Sequence, residues 1–234
     1  MRVAVHQPQY LPWAGLFDKI DQADRFVALD SVQYHKNEWQ NRNRIKTAQG
    51  WCWLTVPVHY RFPQKLRDVK IARDGWQRAH WRTITQSYRR APHFERYVQL
   101  LEPLYAAEWE WLADLNLATM ERLAAALGVE WAPRLASQMT LTEEPTQRLI
   151  DICRQVGADC YVAGSGSRPY LDLARFEEAG IAVEFQRFEH PVYAQLHGPF
   201  EPALSAVDLL FNCGPDSLSL LRAGRRAGSS AGSA

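Results

Sequence analysis

The sequence lacks a long hydrophobic run and any motif of paired cysteines. No stretch of about 18 or more apolar residues occurs, so no transmembrane helix is predicted. The first residues lack the apolar segment of a secretory signal. The four cysteines show no C-x-x-C spacing, which is typical of reduced thiols in a cytoplasmic protein. We therefore expect a cytoplasmic protein without a membrane span.

The common metal and nucleophile motifs are also missing. The seven histidines form no H-E-x-x-H motif, and no Cys/His cluster has the spacing of a zinc site. No G-x-S-x-G elbow, P-loop or G-x-G-x-x-G fingerprint occurs. Twenty-seven basic and 26 acidic residues leave a formal net charge of +1, which gives no indication of a nucleic-acid partner. We expect no metal site and no nucleic-acid binding.

What is present is the pattern of a globular α/β protein. The chain has 234 residues, of which 47% are hydrophobic. Short apolar strands alternate with helical segments, and this alternation predicts a mostly parallel sheet with flanking helices. We predict a single α/β domain over residues 1–224, with a helical insertion at about 76–128. A flexible tail is expected at 225–234, where the residues are small and polar.

The charges are distributed unevenly along the chain. Residues 42–96 contain 13 Lys and Arg against three acidic residues, whereas residues 97–130 contain six acidic residues and one arginine. A basic region of this kind suits a small anionic ligand such as a sugar nucleotide. Solvated helix faces explain the same pattern, and the sequence leaves both interpretations open.

Three polar segments follow predicted strands, at positions 6–10, 30–44 and 164–170. In parallel sheets, ligands bind beyond the carboxyl ends of the strands. We therefore expect the three segments to meet at one edge of the sheet and to form a binding cleft.

The first segment provides a candidate base. His6 is able to act as a general base or phosphate contact near pH 7, and a loop-fixing role is the alternative. Asp30, at the end of the second strand, is the other candidate base. We expect Pro12 to open a helix that contains Gly15 and directs unpaired N–H groups at an anion.

The second segment, 30–44, overlaps a stretch at 34–46 that is polar and is predicted to be a loop. Arg42 and Arg44 are suited to grip phosphate or carboxylate in bidentate fashion, while Asn41 and Asn43 orient polar groups. Trp39, Trp51 and Trp53 flank this polar, basic stretch and are candidates to line a pocket.

The third segment is a small-residue turn before a helix predicted at 170–179. Small residues let the backbone approach a ligand, hydroxyls bond oxyanions, and Arg168 supplies charge. The full set of predicted substrate-binding residues is Gln7, Gln9, Tyr10, Gly15, Gln33, Asn41, Arg42, Asn43, Arg44, Gly164, Ser165, Gly166, Ser167, Arg168 and Tyr170.

The stretches HQPQYLPWAGLFDKIDQADRFVALDSVQ, QNRNRIK and YVAGSGSRPYLD, with others, span residues 5–213 and occur in the same order as in a known family. On these stretches the chain resembles the WbqC-like family. Ala163 departs from the family pattern, which has serine at the position before Gly164. The resemblance implies a bacterial transferase of surface-polysaccharide (O-antigen) biosynthesis, which attaches an amino acid such as glycine to an amino sugar.

The opening segment is also similar to the nucleotidylyltransferase-like variant of the Rossmann fold. That fold begins its first helix with His-x-Gly-His, whereas this chain has Trp13-Ala14-Gly15-Leu16 and lacks both histidines. Either His6 has taken over the phosphate contact or the ATP chemistry has been lost.

The leading hypothesis is transfer of an acyl or aminoacyl group to an amino group of a sugar nucleotide or similar small anionic acceptor. The donor is either an adenylate made from ATP or a thioester on an acyl carrier. A degenerate nucleotidylyltransferase-like enzyme and a non-enzymatic module that binds a small ligand are the alternatives. The sequence gives no indication of the oligomeric state.

Overall fold

The structure of the protein, a computed structural model, describes residues 1–226. The strands are β1 (Arg2–His6), β2 (Arg25–Ala28), β3 (Arg42–Thr47), β4 (Gly50–Thr55), β5 (Val58–His59), β6 (Lys70–Ile71), β7 (Pro133–Leu135), β8 (Cys160–Ala163) and β9 (Ala182–Phe185). The helices are α1 (Ala14–Asp21), α2 (Trp76–Tyr88), α3 (Phe94–Ala106), α4 (Leu112–Leu127), α5 (Pro145–Val156), α6 (Leu173–Glu178), α7 (Ala206–Cys213) and α8 (Ser217–Ala223).

The centre of the fold is a five-stranded sheet in the order β7-β2-β1-β8-β9. All of its strand pairs are parallel, which confirms the predicted α/β class with a parallel sheet. Counted along the chain, the order is 3-2-1-4-5, as in the first five strands of the doubly wound dinucleotide-binding fold. The strand order changes direction at β1, so the boundary between β1 and β8 is the topological switch point.

Alternating side chains of the sheet build a hydrophobic core on each face. Ala4, Phe26 and Val162 pack into one core with residues of α1, α2, α3, α4 and α7. Val3, Val27 and Tyr161 point to the opposite face and pack with residues of α5 and α6. Because both faces are covered, the strands read as continuous apolar runs, which is typical of parallel sheets.

Helices α2, α3 and α4 fall inside the range predicted for the helical insertion. A proline usually breaks a helix, but Pro103 lies within α3, and helices α3 and α4 separate at 107–111. Pro103 is on the exposed face of the helix, where a carbonyl that loses its N–H partner is able to bond water. None of the helices in residues 1–226 is long and apolar enough to span a bilayer.

Three other predicted boundaries are wrong. Residues 42–47 form strand β3 instead of a loop. Pro12 lies outside α1, because Trp13 is the N-cap residue and the helix begins at Ala14. The segment 165–170 forms a turn of 3₁₀ helix, and α6 begins only at Leu173, where the Asp172 side chain caps it.

The end of the described chain is fixed to the first helix. The Arg225 Nε lies 2.5 Å from Oδ1 of Asp18, whose side chain is fully buried, and Arg225 also pairs with Asp21. Arg226 lies 2.6 Å from Glu189. These two arginines begin the segment predicted as a tail, and the remainder of that segment, 227–234, lies outside the described residues.

Candidate functional site

The carboxyl ends of β1, β2 and β8 place three predicted site residues at one edge of the sheet. Ala4 lies opposite Val162 in the parallel register, so two further residues along each strand bring His6 beside Gly164. On the other side, His6 lies opposite Ala28, and the backbone N–H of Leu29 donates to the His6 carbonyl. Asp30 follows directly. This edge is where ligands bind in open parallel sheets.

The contacts of His6 fix its tautomer. Its Nδ1 lies 3.0 Å from the carbonyl oxygen of Gln7. A carbonyl only accepts hydrogen bonds, so Nδ1 carries the proton and Nε2 keeps its lone pair. Burial, followed by the charge of Lys19, lowers the pKa of His6 to about 4, although the bond to Gln7 acts in the opposite direction. His6 is therefore neutral at pH 7, and its Nε2 is able to accept a proton.

Lys19 is a residue of this region that the sequence analysis did not identify. It lies in α1 with 3% of its surface exposed, and its Nζ donates to the Val5 carbonyl at 2.8 Å. The ammonium also lies 5.8 Å from the centre of the Tyr161 ring. Burial lowers the pKa of Lys19 to about 7. No sequence signal indicates it, because a lysine beside an aspartate in a short helix is usually exposed.

Replacing Lys19 with methionine is expected to raise the pKa of His6, because a positive charge near the imidazole is removed. NMR titration of the His6 ring measures this directly: near 4 in the wild type and higher in the variant. A folded-state pKa below the ordinary value means that the unfolded chain binds more protons. His6 therefore reduces stability as the pH falls from about 6.5 toward 4. An unchanged titration in the variant would contradict the proximity of the two groups.

Asp30 is at the same edge but is occupied by a structural contact. Its side chain is 4% exposed, and Oδ1 accepts from the backbone N–H of Ser137 at 2.8 Å. This bond fixes the turn that follows β7. The charge of Asp30, after burial, raises the pKa of Asp114, so the two carboxyl groups lie near each other.

The residues after His6 differ in their access to a ligand. Gln7 is half-buried and accepts a hydrogen bond from Nε2 of Gln40 at 2.7 Å. Gln9 is buried, and its Oε1 has no hydrogen-bond partner in the described part of the chain. Tyr10 is 1% exposed, and its hydroxyl lies 2.9 Å from both His80 Nδ1 and the Tyr105 hydroxyl. The structure therefore places Tyr10 in the core, away from the open edge.

Gly15 is explained by packing at the start of α1. A Cβ at this position would lie 2.3 Å from the indole of Trp13, so only glycine leaves room for that ring. Trp13 in turn contacts Phe188 edge to face, at 5.5 Å between ring centroids. The indole thus covers the helix N-terminus where an anion was expected to bind.

The predicted arginine pair lies on one face of a β-hairpin. Strand β3 pairs with β4 in antiparallel register, and Arg44 lies opposite Trp53. Successive side chains of a strand alternate between faces. Ile45 and Leu54 are therefore buried on the inner face, while Arg42 and Arg44 share the outer face with tryptophans.

The two asparagines between and beside these arginines support the backbone. Asn41 donates to the Val56 carbonyl at 3.0 Å. Asn43 accepts from the Arg44 N–H at 2.8 Å and donates to the Tyr10 carbonyl at 3.4 Å. Both side chains are buried, so they position the arginines and do not line the open surface.

A cleft of about 350 Å³ opens on the outer face of the hairpin. The guanidinium carbon of Arg42 lies 4.2 Å from the centre of the Trp53 ring, and that of Arg44 lies 5.0 Å from Trp51. Within residues 1–226, Arg42 forms no ion pair, and Arg44 has one at 4.0 Å. The cleft residues are Asn37, Glu38, Trp39, Arg42, Arg44 and Trp53.

The cleft is joined to the sheet edge by a network around Gln40. Beyond its bond to Gln7, the Gln40 side chain accepts from the backbone N–H of His35 at 2.8 Å. The Asn116 amide donates to the carbonyls of Pro8 and Gln40, at 3.1 and 2.7 Å. Trp39 and Arg42 are therefore held next to the segment that follows His6.

The third segment is open to solvent. Ser165, Gly166, Arg168 and Tyr170 are exposed, whereas Gly164 and Ser167 are half-buried. A Cβ on Gly164 or Gly166 would meet no atom of the described residues within 4 Å, so space remains for a ligand close to the backbone.

Two polar side chains of this segment already have partners. The Ser167 hydroxyl donates to the Gly164 carbonyl at 2.6 Å. The guanidinium carbon of Arg168 lies 4.5 Å from the centre of the Phe185 ring.

Gln33 is not brought to the cleft. Its side-chain amide donates to the Tyr34 carbonyl at 2.9 Å, and its backbone pairs with Lys65. The described part of the chain holds no cluster of three or more potential metal ligands. The four cysteines are free thiols.

Comparisons with known proteins give matches over most of the chain. The model of the WbqC-like protein family matches residues 7–220. An uncharacterised protein of Mycobacterium tuberculosis, Rv1507c, is 40% identical over 227 residues, which cover 94% of this chain and 97% of that protein. No match was found among solved structures. The chain belongs to the WbqC-like protein family.

Proposed function

We propose that this protein is a transferase that moves an acyl or aminoacyl group, such as glycyl, to the amino group of a small anionic acceptor. The acceptor class is an amino sugar carried by a nucleotide or a similar anion, in biosynthesis of the polysaccharide type. One observation carries the proposal. A neutral imidazole with a free Nε2 lies at the switch point of the sheet, beside the open Gly164 turn.

The chemistry of amide formation suits this arrangement. The neutral amine nitrogen of the acceptor forms a bond to the donor carbonyl carbon, and His6 Nε2 takes the proton that this nitrogen becomes acidic enough to release as the bond forms. The resulting oxyanion is stabilised by backbone N–H groups of the Gly164–Ser167 turn other than that of Ser167, which already donates to the Gly164 carbonyl. When the carbonyl re-forms, the leaving group departs with the bonding pair. His6 is preferred to Asp30 as the base, because Asp30 is buried and bonded to Ser137.

Arg42 and Arg44 supply the charge for the acceptor. Guanidinium groups bind phosphate in bidentate geometry, and charge-assisted bonds of this kind are about twice as strong as neutral ones. Arg42 has no carboxylate partner in the described residues, so its charge is available to a ligand. The proposed leaving group is the adenylate or the carrier thiolate of the donor, and the assay below separates the two.

Changing Arg42 or Arg44 to glutamine is expected to weaken acceptor binding by about 10- to 100-fold, because a charge-assisted hydrogen bond is worth about 1.5–3 kcal/mol. Calorimetric titration with a UDP-linked amino sugar measures this effect. Arg82→Gln, at an exposed position outside the cleft, is the matched control and should leave the affinity unchanged.

Group transfer is then tested with radiolabelled glycine. One reaction contains ATP and free glycine, and the other contains a glycyl thioester. Product in the first alone indicates an adenylate, and product in the second alone indicates a carrier. If neither donor, nor any other activated acyl group, labels an amino-sugar acceptor, the transferase proposal is wrong.

A nucleotidylyltransferase-like reaction is the second candidate, favoured by the 3-2-1-4-5 strand order. Release of pyrophosphate from ATP, dependent on the acceptor and without glycine, would support it. The indole of Trp13 over Gly15 argues against this candidate, because it covers the helix N-terminus that would hold the phosphates.

A further inference from the structure

Three tryptophans remain exposed on the outer face of the β3–β4 hairpin. The exposed fractions of Trp39, Trp51 and Trp53 are 38%, 43% and 37%. On the inner face of the same hairpin, Ile45 and Leu54 are 0% and 2% exposed. The hairpin therefore packs one face against the core and presents indole rings on the other. A cluster of exposed aromatic rings in a cleft is typical of a ligand surface.

The indole rings and the guanidinium groups lie side by side on this surface. Trp39 lies 5.5 Å from Trp53 at an interplanar angle of 48°, and Trp51 meets Trp53 edge-on at 5.7 Å. The angle between Trp39 and Trp53 leaves their faces splayed instead of stacked on each other. Arg42 and Arg44 lie beside these rings, and the Nε of each is buried without a hydrogen-bond partner among residues 1–226. Aromatic and cationic groups are thus combined in one cleft.

The combination of aromatic rings and cations matches the two parts of a nucleotide, its base and its phosphates. A base offers a planar π-face that stacks on an indole ring, and the adjoining phosphates pair with guanidinium groups. A neutral sugar would use the rings but not the cations. The cleft volume of about 350 Å³ lies within the range of pockets for small ligands, about 300–1,000 Å³. Its polar rim includes Asn37 and Glu38, which are able to bond ribose hydroxyls.

We propose that the cleft binds the base and phosphates of a nucleoside diphosphate, with the base stacked on Trp39 and Trp53. The acceptor of the proposed reaction is then an amino sugar linked to a nucleoside diphosphate, not an amino-sugar phosphate. This identification of the acceptor rests on the proposed function, whereas binding of a nucleotide in the cleft does not. The Gln40–Gln7 bond places the cleft next to the edge that carries His6.

The test compares UDP, ADP and inorganic pyrophosphate by calorimetric titration of the full-length protein. UDP and ADP are expected to bind about 5- to 150-fold more tightly than pyrophosphate, the factor for about 1–3 kcal/mol per stacked base. Trp39→Ala removes this preference and leaves pyrophosphate affinity unchanged. Trp39→Phe restores much of it, because the stacking surface returns. Arg42→Gln weakens all three ligands by a similar factor.

Phe62→Ala is the matched control, since Phe62 is an aromatic residue outside the cleft that is 79% exposed. It should leave all three affinities unchanged. Circular dichroism and thermal melting establish that Trp39→Ala is folded. Equal affinities for UDP, ADP and pyrophosphate in the wild type would overturn the proposal. So would a preference for nucleotides that survives Trp39→Ala in a folded protein.

Failure of the nucleotide-binding proposal is distinguishable from failure of the proposed transferase reaction. Nucleotide binding that depends on Trp39, with no group transfer, would support the cleft and disprove the transferase. Transfer to an amino-sugar phosphate with a KM unaffected by Trp39→Ala would disprove the nucleotide assignment and support the transferase.

Discussion

Replacing His6 with asparagine is expected to lower kcat for group transfer by about 10²- to 10⁴-fold, the usual contribution of a positioned general base. Asparagine keeps a donor near the position of Nδ1, so the hydrogen bond to the Gln7 carbonyl is retained. The lone pair of Nε2 is lost. Because the arginine cleft is not altered, the affinity for a UDP-linked amino sugar should not change. Single-turnover kinetics and calorimetry measure the two quantities separately.

The pH profile provides an additional readout. With a His6 pKa of about 4, lowered by burial and by Lys19, the imidazole of the wild type remains deprotonated well below neutral pH. The pH profile of kcat/KM should therefore show no loss of activity near pH 6.5 from protonation of His6. Asp30→Asn is the comparison for the other candidate base. If Asp30→Asn abolished transfer while His6→Asn retained it, the assignment of His6 would be wrong.

Changing Phe176 to alanine is expected to cost about 3–5 kcal/mol of the free energy of unfolding. Phe176 lies in α6, is 0% exposed, and stacks on Tyr161 of β8 with 5.6 Å between ring centroids and 8° between planes. Truncation removes the buried ring and leaves a cavity beneath the sheet strand that leads to the Gly164 turn. Urea denaturation monitored by circular dichroism measures the loss.

Val192→Ala is the control for that measurement, because Val192 is apolar but 76% exposed. Its effect should be within about 0.5 kcal/mol of the wild type, as for most surface substitutions. A loss below about 1 kcal/mol for Phe176→Ala would mean that the site collapses around the smaller side chain or that the two rings do not stack.

The sheet could be predicted from the sequence because its strands are short apolar runs between recognisable helix signals. Val3 to Val5 and Cys160 to Ala163 are buried, as such runs predict. Gly157 ends α5 with a left-handed φ of 74°, as a glycine after a helical segment commonly does. These features depend on local chemistry, which a single sequence displays.

The hairpin could not be predicted because its inner face is not uniformly apolar. Asn43 occupies a core position with 0% exposure, and its amide replaces a hydrophobic contact with bonds to Tyr10 and Arg44. Alternation of arginine and asparagine therefore reads as a polar loop. The pattern becomes that of a strand only when the buried asparagine has its partners, which come from distant parts of the chain.

The position of the candidate site could be predicted only in part, because some of its contacts come from distant parts of the chain. Positions such as His6 and Gly164 follow strands, so topology alone brings them to one edge. Tyr10 and Gly15 also follow β1, but their surroundings are set by His80 and Trp13, and sequence order does not reveal these contacts. Lys19 was missed because its burial depends on packing between α1 and the sheet.

The pairing of Arg225 with Asp18 has a consequence for the synthesis of this protein. The two residues are 207 positions apart, and the carboxylate is completely shielded from water. The first strand likewise requires β8, more than 150 residues later, as a neighbour. An emerging polypeptide cannot complete its central layer until β8 has left the ribosome, and it cannot neutralise that carboxylate until Arg225 has done so. Such long-range closure favours late, all-or-none maturation over stepwise folding from the N-terminus.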